Sequence, residues 1–534
     1  MTVTIIFCLL LATRFPTDTS NRGPLLTATQ FATPTLDLTL AAKPAQRAAA
    51  APRPSPSLLA VKAPALPLPV PVPTPAYDPK SYIRAAVGNS ITVRAKKGED
   101  LASLINSAQE KNVATIKIAG GGSIKNQVRL RRHTVFDSST YSCDTRGRDE
   151  VVAGNTNNSV WYGCFLVDDN VLVEGTWRPP VALEDFFRNP SAATLAKVQA
   201  LTPDQLAGTG TTILEPNFHT KLPSITVFQA YQDAVSVQHE RETKNITIMG
   251  FHVVGRQPVY DGGSRLTIAF GNCVNCAAMY NYLDNTRSIG IQFGGYGGNG
   301  KYANHFLAWR NVLSRVAAAN IAVVNGENGL IAENYSLKLG HQGFGGGISG
   351  FDLETNADDD HAKNIWVMNG LFDYEGSSQN SAGNAINFQA PGVKGSTGGI
   401  YAVNNWIIGG RNDAVHRYMA NGFFVNSVNG VTIKNNYVYK TGQTAVQWYG
   451  SGRGTGTGSI IEDNWFDATG GGGNPSILLI KASGVTVRRN RFTLDPDTKF
   501  GTDLRIRDCG GTKNVFLDNS NGPIRISVVT NGCP

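Results

Sequence analysis

The stretch at residues 431–437, VTIKNNY, alternates apolar and polar residues and then runs into paired asparagines followed by an aromatic ring. The same ending returns in SIIEDNW around Asn464, VTVRRNR around Asn490 and VFLDNSN around Asn519. Upstream it is found in IYAVNNW around Asn405, IWVMNGL around Asn369, LIAENYS around Asn334, LAWRNVL around Asn311 and AAMYNYL around Asn281. With Asn405 and Asn436 taken from the doubled pairs, successive asparagines lie 30, 23, 35, 36, 31, 28, 26 and 29 residues apart. A strand-and-turn period of this length marks a solenoid, in which one coil cannot bury its own apolar face but a stack of coils can. Asparagine suits such a corner because it tolerates left-handed backbone and bonds locally to main chain, and amides stacked coil on coil would form an internal ladder. The expectation is an all-β chain folded as a right-handed parallel β-helix.

A second strand lies between successive asparagines, and these strands align: GIQFGG (290–295), NIAVVN (320–325), GFDLET (350–355), AINFQA (385–390), GFFVNS (422–427), AVQWYG (445–450), SILLIK (476–481) and DLRIRD (503–508). Alternation sends the second and fourth residue of each to one face. Those residues, from Ile291 and Phe293 to Leu504 and Ile506, are all apolar, so that face is core. The third and fifth face outward as Gln292, Asp352 with Glu354, Asn387 with Gln389, Asn426, Gln447 with Tyr449, and Arg505 with Arg507. At about 4.8 Å per coil they form a polar ladder along one side of a rod.

Composition fits a solenoid, with 58 glycines in 534 residues, 16% charged residues and a mean hydropathy of −0.16. The ends differ from the middle. Val3–Ala12, VTIIFCLLLA, has the length of a signal-peptide core and is too short to span a bilayer. Residues 1–20 read as a signal peptide and 21–77 as an Ala/Pro-rich tether ending in PALPLPVPVPTPAY, with the β-helix occupying 78–534. No later stretch is apolar enough to cross a membrane. Residues 1–77 carry six Lys/Arg and two Asp/Glu, which leaves 42 against 38 in the rest, too even a balance for a nucleic-acid partner. After Cys8, six cysteines form three local groups, Cys143 with Cys164, Cys273 with Cys276 and Cys509 with Cys533, the usage of an oxidising, extracellular or periplasmic location. The CVNC pair also reads as a redox or zinc half-site, though no second half-site completes it.

Asp100–Lys111 carries Leu101, Leu104, Ile105 and Ala108 at helical spacing and is expected to cap the first coil. Residues 180–215 read as a small helical insertion, with Thr202, Pro203 and Gln205 forming a capping-box start.

The asparagine-terminated strands, the cap helix and the glycine-rich turns together resemble the parallel β-helix superfamily of pectate lyases, polygalacturonases, alginate and chondroitin lyases and mannuronan epimerases. The resemblance covers residues 85–530 and implies a secreted or cell-surface protein that handles a polysaccharide along a lateral groove. No branch motif matches. GHQG (340–343) precedes NADDDH (356–361), the reverse of the polygalacturonase order, and SGFDLE (349–354) shares only the Gly-Phe-Asp core of the epimerase stretch.

Asp352 and Glu354 are the sharpest candidates, since two residues apart on one strand face their side chains can converge or bind a cation. Asp373, Arg411 and His416 are the next candidates for catalysis, with Lys338, Asn387, Gln389, Asn426, Gln447, Tyr449 and Arg505 for substrate binding. Glu375 with Asp352 and Glu354 would supply a calcium site. Carboxylates flanked by basic groups fit β-elimination on a uronate, in which a cation or arginine neutralises the carboxylate and Lys, His or Arg removes the C5 proton. The same pair fits a glycoside hydrolase, and a non-catalytic carbohydrate-binding rod is the alternative from another class. An outward Asp-x-Glu also reads as a solvated edge, the DDD run at 358–360 as a solvated turn, His361 and His416 as surface residues and Trp448 as core.

Overall fold

Each coil consists of three short strands, as in Cys273–Met279, Tyr282–Asp284 and Ile289–Phe293, after which Ala303–Trp309 begins the next coil directly above Cys273–Met279. Among the described residues repetition builds three sheets of 15, 14 and 13 strands, the first, second and third sheets, whose neighbours are parallel except for a final hairpin in the second. This is the right-handed parallel β-helix, right-handedness being the rule for parallel crossovers. The computed structural model describes residues 78–84, 86–143, 162–216, 225–230, 242–255, 266–286, 289–294, 302–316, 318–337, 349–355, 360–374, 383–390, 397–409, 419–451, 454–470, 474–493, 505–530 and 533. The expected signal peptide and tether, 1–77, lie outside them.

The corner between the first and second sheets divides its work between two residues. The first takes the left-handed conformation: Tyr280, Arg310, Glu333, Asn369, Asn404, Asn435, Asp463, Arg489 and Asp518 all have φ between 51° and 58°. The second is the buried ladder residue. Asn436 shows the pattern: its backbone N–H and Nδ2 both donate to Asn464 Oδ1 (2.9 and 3.0 Å), and Nδ2 also donates to Ala402 O (2.9 Å). Its own Oδ1 accepts the equivalent pair from Asn405 (2.9 and 3.0 Å). The internal ladder is therefore present, but the asparagines form it by hydrogen bonding and their predecessors supply the left-handed turn. This corrects two expectations. Tolerance of positive φ is not what the ladder asparagine contributes, and Asn369 is not a rung. Gly370 occupies the rung and offers only its N–H, to Asn405 Oδ1 at 2.9 Å.

Inside the rod the inward residues of the third sheet are closed to solvent, Phe351, Ile386, Phe388, Phe423, Val425, Val446 and Trp448 all at 0% exposure. Rings stack along the axis, as Phe270 does on Phe293 with centroids 5.1 Å apart and planes within 9°. The alignment of the third-sheet strands holds from Ile291 to Leu479 and then slips by two. Ile477 pairs with Ile506 and Leu478 with Arg507, so Arg505 precedes the strand as an exposed residue instead of lying in the ladder. A two-residue slip keeps every side chain on its expected face, which is why the pattern did not reveal it.

Helix α1 (Leu101–Gln109) starts on Asp100, whose side chain accepts from Ala102 N, and buries Leu101, Ala102, Ile105 and Ala108 against the first coil. The insertion contains α2 (Val181–Arg188), α3 (Ala192–Gln199) and α4 (Pro203–Ala207). Thr202 and Gln205 make the expected capping box, and Ser191 and Thr194 make another. α2 follows Arg178-Pro179-Pro180 and lies inside the 180–215 stretch expected to be helical. The insertion packs on the outer face of the second sheet: Trp177 Nε1 donates to Leu206 O (3.0 Å), and the Phe186 ring meets Trp406 edge-on at 5.5 Å. Three disulfides, Cys143–Cys164, Cys273–Cys276 and Cys509–Cys533, join the three local cysteine groups, so CVNC is a bonded pair within a first-sheet strand and not a metal half-site. Among the described residues no helix is long and apolar enough to cross a membrane.

Candidate functional site

The strand Ser349–Glu354 places Asp352 and Glu354 on the outer face of the third sheet because Phe351 and Leu353 between them point into the core. Backbone register fixes their neighbours. Asp352 lies between Ala322 and Asn387, and Glu354 lies beside Gln389. The next coils continue both columns as Phe424 with Asn426, then Gln447 with Tyr449. The amides, hydroxyl and rings thus follow the carboxyl pair in consecutive coils, about 4.8 Å apart. Gln447 Nε2 donates to Tyr449 Oη (2.8 Å), Ser427 Oγ donates to Asn426 Oδ1 (2.9 Å), and the Phe424 and Tyr449 rings sit 5.7 Å apart.

The pair is not a solvated edge. Asp352 is only 9% exposed and Glu354 is intermediate. Burial, then the charge of Glu354, pushes the Asp352 carboxyl up to about 8, against the opposing effect of hydrogen bonds from Asn387 and Gln389. Burial raises Glu354 as well. Two carboxyls so close cannot both ionise freely, so ionising either one disfavours the charge of the other. Asp352 Oδ1 and Asn387 Oδ1 are buried without a hydrogen-bond partner. The arrangement supplies two carboxyls side by side, with neutral side chains at the paired positions of the next three coils and Arg507 further along the same column.

Asp373 does not join them. It ends the second-sheet strand Leu371–Asp373, is 2% exposed, and accepts a hydrogen bond from Gln199 Nε2 of α3 at 3.1 Å. Its role is to seat the insertion, because the strand after each ladder residue belongs to a different sheet from the carboxyl pair. Asp360 is fully buried, which overturns the solvated-turn reading of the DDD run for that residue. Lys338, Glu375, Arg411 and His416 lie outside the described residues. Among the described residues no three His, Cys, Asp or Glu side chains gather as a metal cluster. The donor set at the pair is all oxygen, which suits a hard cation, but Asp352, Glu354 and the Asn387 amide fall short of the six to eight oxygens calcium takes.

The second sheet holds a cluster that was not anticipated. His252 stacks on Tyr282 (4.4 Å, 10°), and Arg315 forks onto Asp284, with Nε to Oδ1 at 2.9 Å. Burial holds the His252 ring down to about 4 despite the opposing charge of Asp284, so the ring is neutral and packs with Trp177 over Tyr282 as part of the insertion's seat. Aligning the three-residue strands after each ladder asparagine would have exposed the outward Tyr282 and Asp284.

No family model matches the sequence, and no curated protein matches it. Among solved structures the chain is similar to a mutant tailspike protein of E. coli bacteriophage HK620 in complex with a pentasaccharide, at 12% identity and TM-score 0.49 over 80% of this chain and 63% of that one. It is also similar to the A-module of the mannuronan C-5 epimerase AlgE4 of Azotobacter vinelandii, at 13% identity and TM-score 0.38 over 85% of this chain and 99% of that one. A third likeness is to the catalytic unit of a thermostable GH87 α-1,3-glucanase from Streptomyces thermodiastaticus strain HF3-3, at 12% identity and TM-score 0.46 over 82% and 70%. The chain thus spans less than two thirds of the tailspike chain.

Proposed function

We propose that the protein is a polysaccharide-cleaving enzyme of the exterior or periplasm, that its groove runs along the outer face of the third sheet, and that Asp352 and Glu354 cleave glycosidic bonds as a hydrolytic pair. The observation that carries this reading is the buried Asp352 two residues from the more exposed Glu354 on one strand face. A glycoside hydrolase needs one protonated carboxyl to protonate the leaving oxygen and one ionised carboxylate as base or nucleophile. Burial keeps Asp352 protonated, and Glu354, the more exposed, carries the charge. Asn387, Gln389, Asn426 and Gln447 offer neutral donors and acceptors for sugar hydroxyls, with Tyr449 for ring stacking. The strand positions beside the pair, Ala322, Asn387 and Gln389, are neutral, which favours hydrolysis over the β-elimination preferred from sequence, since elimination needs a cation on the uronate.

Incubating the protein with panels of neutral and acidic glycans tests the reading. New reducing ends without absorbance near 235 nm are expected, and both signals together would establish elimination instead. Retention of glycans without cleavage would make the rod a binding protein. The anomeric configuration of the first product, followed by NMR, separates direct attack by Glu354 (retention) from attack by an activated water (inversion). If EDTA abolished cleavage and Ca²⁺ restored it, the pair would be a cation site and the hydrolytic mechanism would fall.

A further inference from the structure

Two columns of side chains stand on the outer face of the third sheet, and strand register fixes their order. One runs Gln292, Ala322, Asp352, Asn387, Phe424 and Gln447, one coil per step. The other runs Glu354, Gln389, Asn426, Tyr449 and Ile480. Val324 precedes Glu354 in that second column, since it lies one residue past the pairing of Val323 with Leu353.

Access along the columns is unequal. Val324 is 1% exposed, whereas Glu354 and all four of its successors are half-buried. In the first column Gln292 and Ala322 are each 4% exposed, Asp352 and Asn387 are also buried, and the face opens at Phe424 and Gln447. Leu478, the step after Gln447, is buried again. The two glutamines are a comparison within one column, because side chain and strand position are the same and only the surroundings differ. Gln292 donates Nε2 to Gly294 O of its own strand (3.0 Å), and Gln447 donates to Tyr449 Oη (2.8 Å) on the open face. The closed stretch continues away from the pair to Ala269, which is paired with Gln292 and 3% exposed. A valine or glutamine that points outward from a bare sheet keeps contact with water, so the face is covered on one side of the carboxyl pair and accessible on the other.

The pair therefore sits at the end of the accessible stretch. From Glu354 to Tyr449 that stretch is three strand spacings, roughly 14 Å. Cleavage in the middle of a glycan needs sugar units on both sides of the scissile bond. In a groove along the rod, the units on one side would have to lie over Ala322 and Val324, where the face is closed.

We propose that the protein is exo-acting and that its substrate is the end of a glycan chain. The terminal unit abuts the closed coil of Ala322 and Val324, and the rest of the chain extends over Gln389, Asn426 and Tyr449. This inference rests on the hydrolytic reading of the pair and goes beyond it in naming the chain end as the substrate. Each turnover adds one water across one glycosidic bond, so one new reducing end appears for each small product released.

The test is to incubate the full chain with dextran, a linear β-1,3-glucan, polygalacturonate and alginate while following reducing ends, viscosity and product size together. On any polymer that is cleaved, one small product of fixed size is expected from the first time point, equal in moles to the new reducing ends, with viscosity nearly unchanged as it accumulates. An early collapse of viscosity with a ladder of oligosaccharides would overturn the chain-end inference and leave the hydrolytic reading standing. Absence of cleavage on all four would remove the hydrolytic reading and this inference with it. A second measurement uses Gln292→Ala, which alters only the closed stretch and should leave KM for the cleaved polymer within about twofold of the unaltered protein. A several-fold rise in that KM would show sugar units lying over the closed coils and would overturn the proposal.

Discussion

Asp352→Asn should abolish turnover and, at the same pH, make the protein harder to melt. In an unfolded chain this carboxyl titrates near 3.8, whereas in the fold burial and then Glu354 raise it to about 8. The sign follows from proton binding. Below about pH 4 the group is protonated in both states and contributes nothing. As pH rises towards 8 the unfolded chain gains an ionisation that the fold withholds, so stability falls, and above about pH 8 the loss is complete. At pH 7 the interval spans about three units at about 1.4 kcal/mol each, an upper bound of about 4 kcal/mol. Glu354 carries part of the same repulsion, which brings the value for Asp352 alone to about 2 kcal/mol, or a few degrees of melting temperature in a unit of this size.

The amide removes the ionisation while keeping an oxygen to accept from Asn387 and Gln389. Calorimetric scans of both proteins at one scan rate should therefore coincide at pH 4, separate by about a degree at pH 6 and by a few degrees at pH 8. A variant that melts lower than wild type at pH 8, or an offset that is the same at every pH, would refute the buried-proton argument. Loss of at least about a hundredfold in rate is expected alongside the gain, because the same proton serves as the acid.

Asn436→Ala should be far more damaging than its size suggests. It takes the acceptor from the Asn405 backbone N–H and from one of its two Nδ2 hydrogens, the other staying on Val367 O, and the Nδ2 donor from the Ala402 carbonyl, at about 1–3 kcal/mol per lost buried partner, so urea melts should shift by on the order of 3–5 kcal/mol with fold intact at low denaturant. Gly370→Asn would supply the missing rung, but its Cβ meets Phe372 at 3.1 Å, so the gain should appear as a higher melting temperature only when Phe372→Leu makes room, measured against Phe372→Leu alone. Mass spectrometry of an unreduced digest should recover Cys143–Cys164 and Cys509–Cys533, and removing either loop closure should cost about 3 kcal/mol. Tyr449→Ala should raise KM several-fold with kcat nearly unchanged, because the ring sits three coils from the carboxyl pair and binds without touching the reacting atoms.

The sequence made the coils legible because strand alternation and the asparagine period are properties of each repeat and need nothing distant to be seen. What it could not show was which of two adjacent corner residues took the left-handed turn. Asn369-Gly370 and Asn404-Asn405 look alike as corners, and only the hydrogen bonds separate the turning residue from the rung. The depth of Asp352 was hidden for a related reason. Alternation assigns a face, but burial depends on what other segments lay over that face. Asp373 was misplaced because nearness in sequence was taken for nearness in space, whereas three residues past the rung the chain is still in the second sheet.

Long connections border the carboxyl pair on one edge of the third sheet. Solenoids accommodate extra residues as loops on one face, often the binding face. Between the second- and third-sheet strands the coils of Gln292, Ala322 and Gln447 each spend four residues, and connections of eleven, nine and twelve precede Leu266–Phe270, Ile477–Ile480 and Ile506–Cys509; the coils of Asp352, Asn387 and Asn426 spend eleven, nine and ten. The last three arrive in consecutive coils, at the edge of the strands that carry the pair and its amides. A longer closed loop adds ordering entropy without adding core, and we expect the connections beside the pair to serve the groove proposed there. Trimming the connection between Leu371–Asp373 and Gly383–Gln389 to four residues should therefore leave the melting temperature within a few degrees while lowering kcat/KM at least tenfold. If cleavage of the best glycan survived that trimming undiminished, the groove would have to lie on another face of the rod.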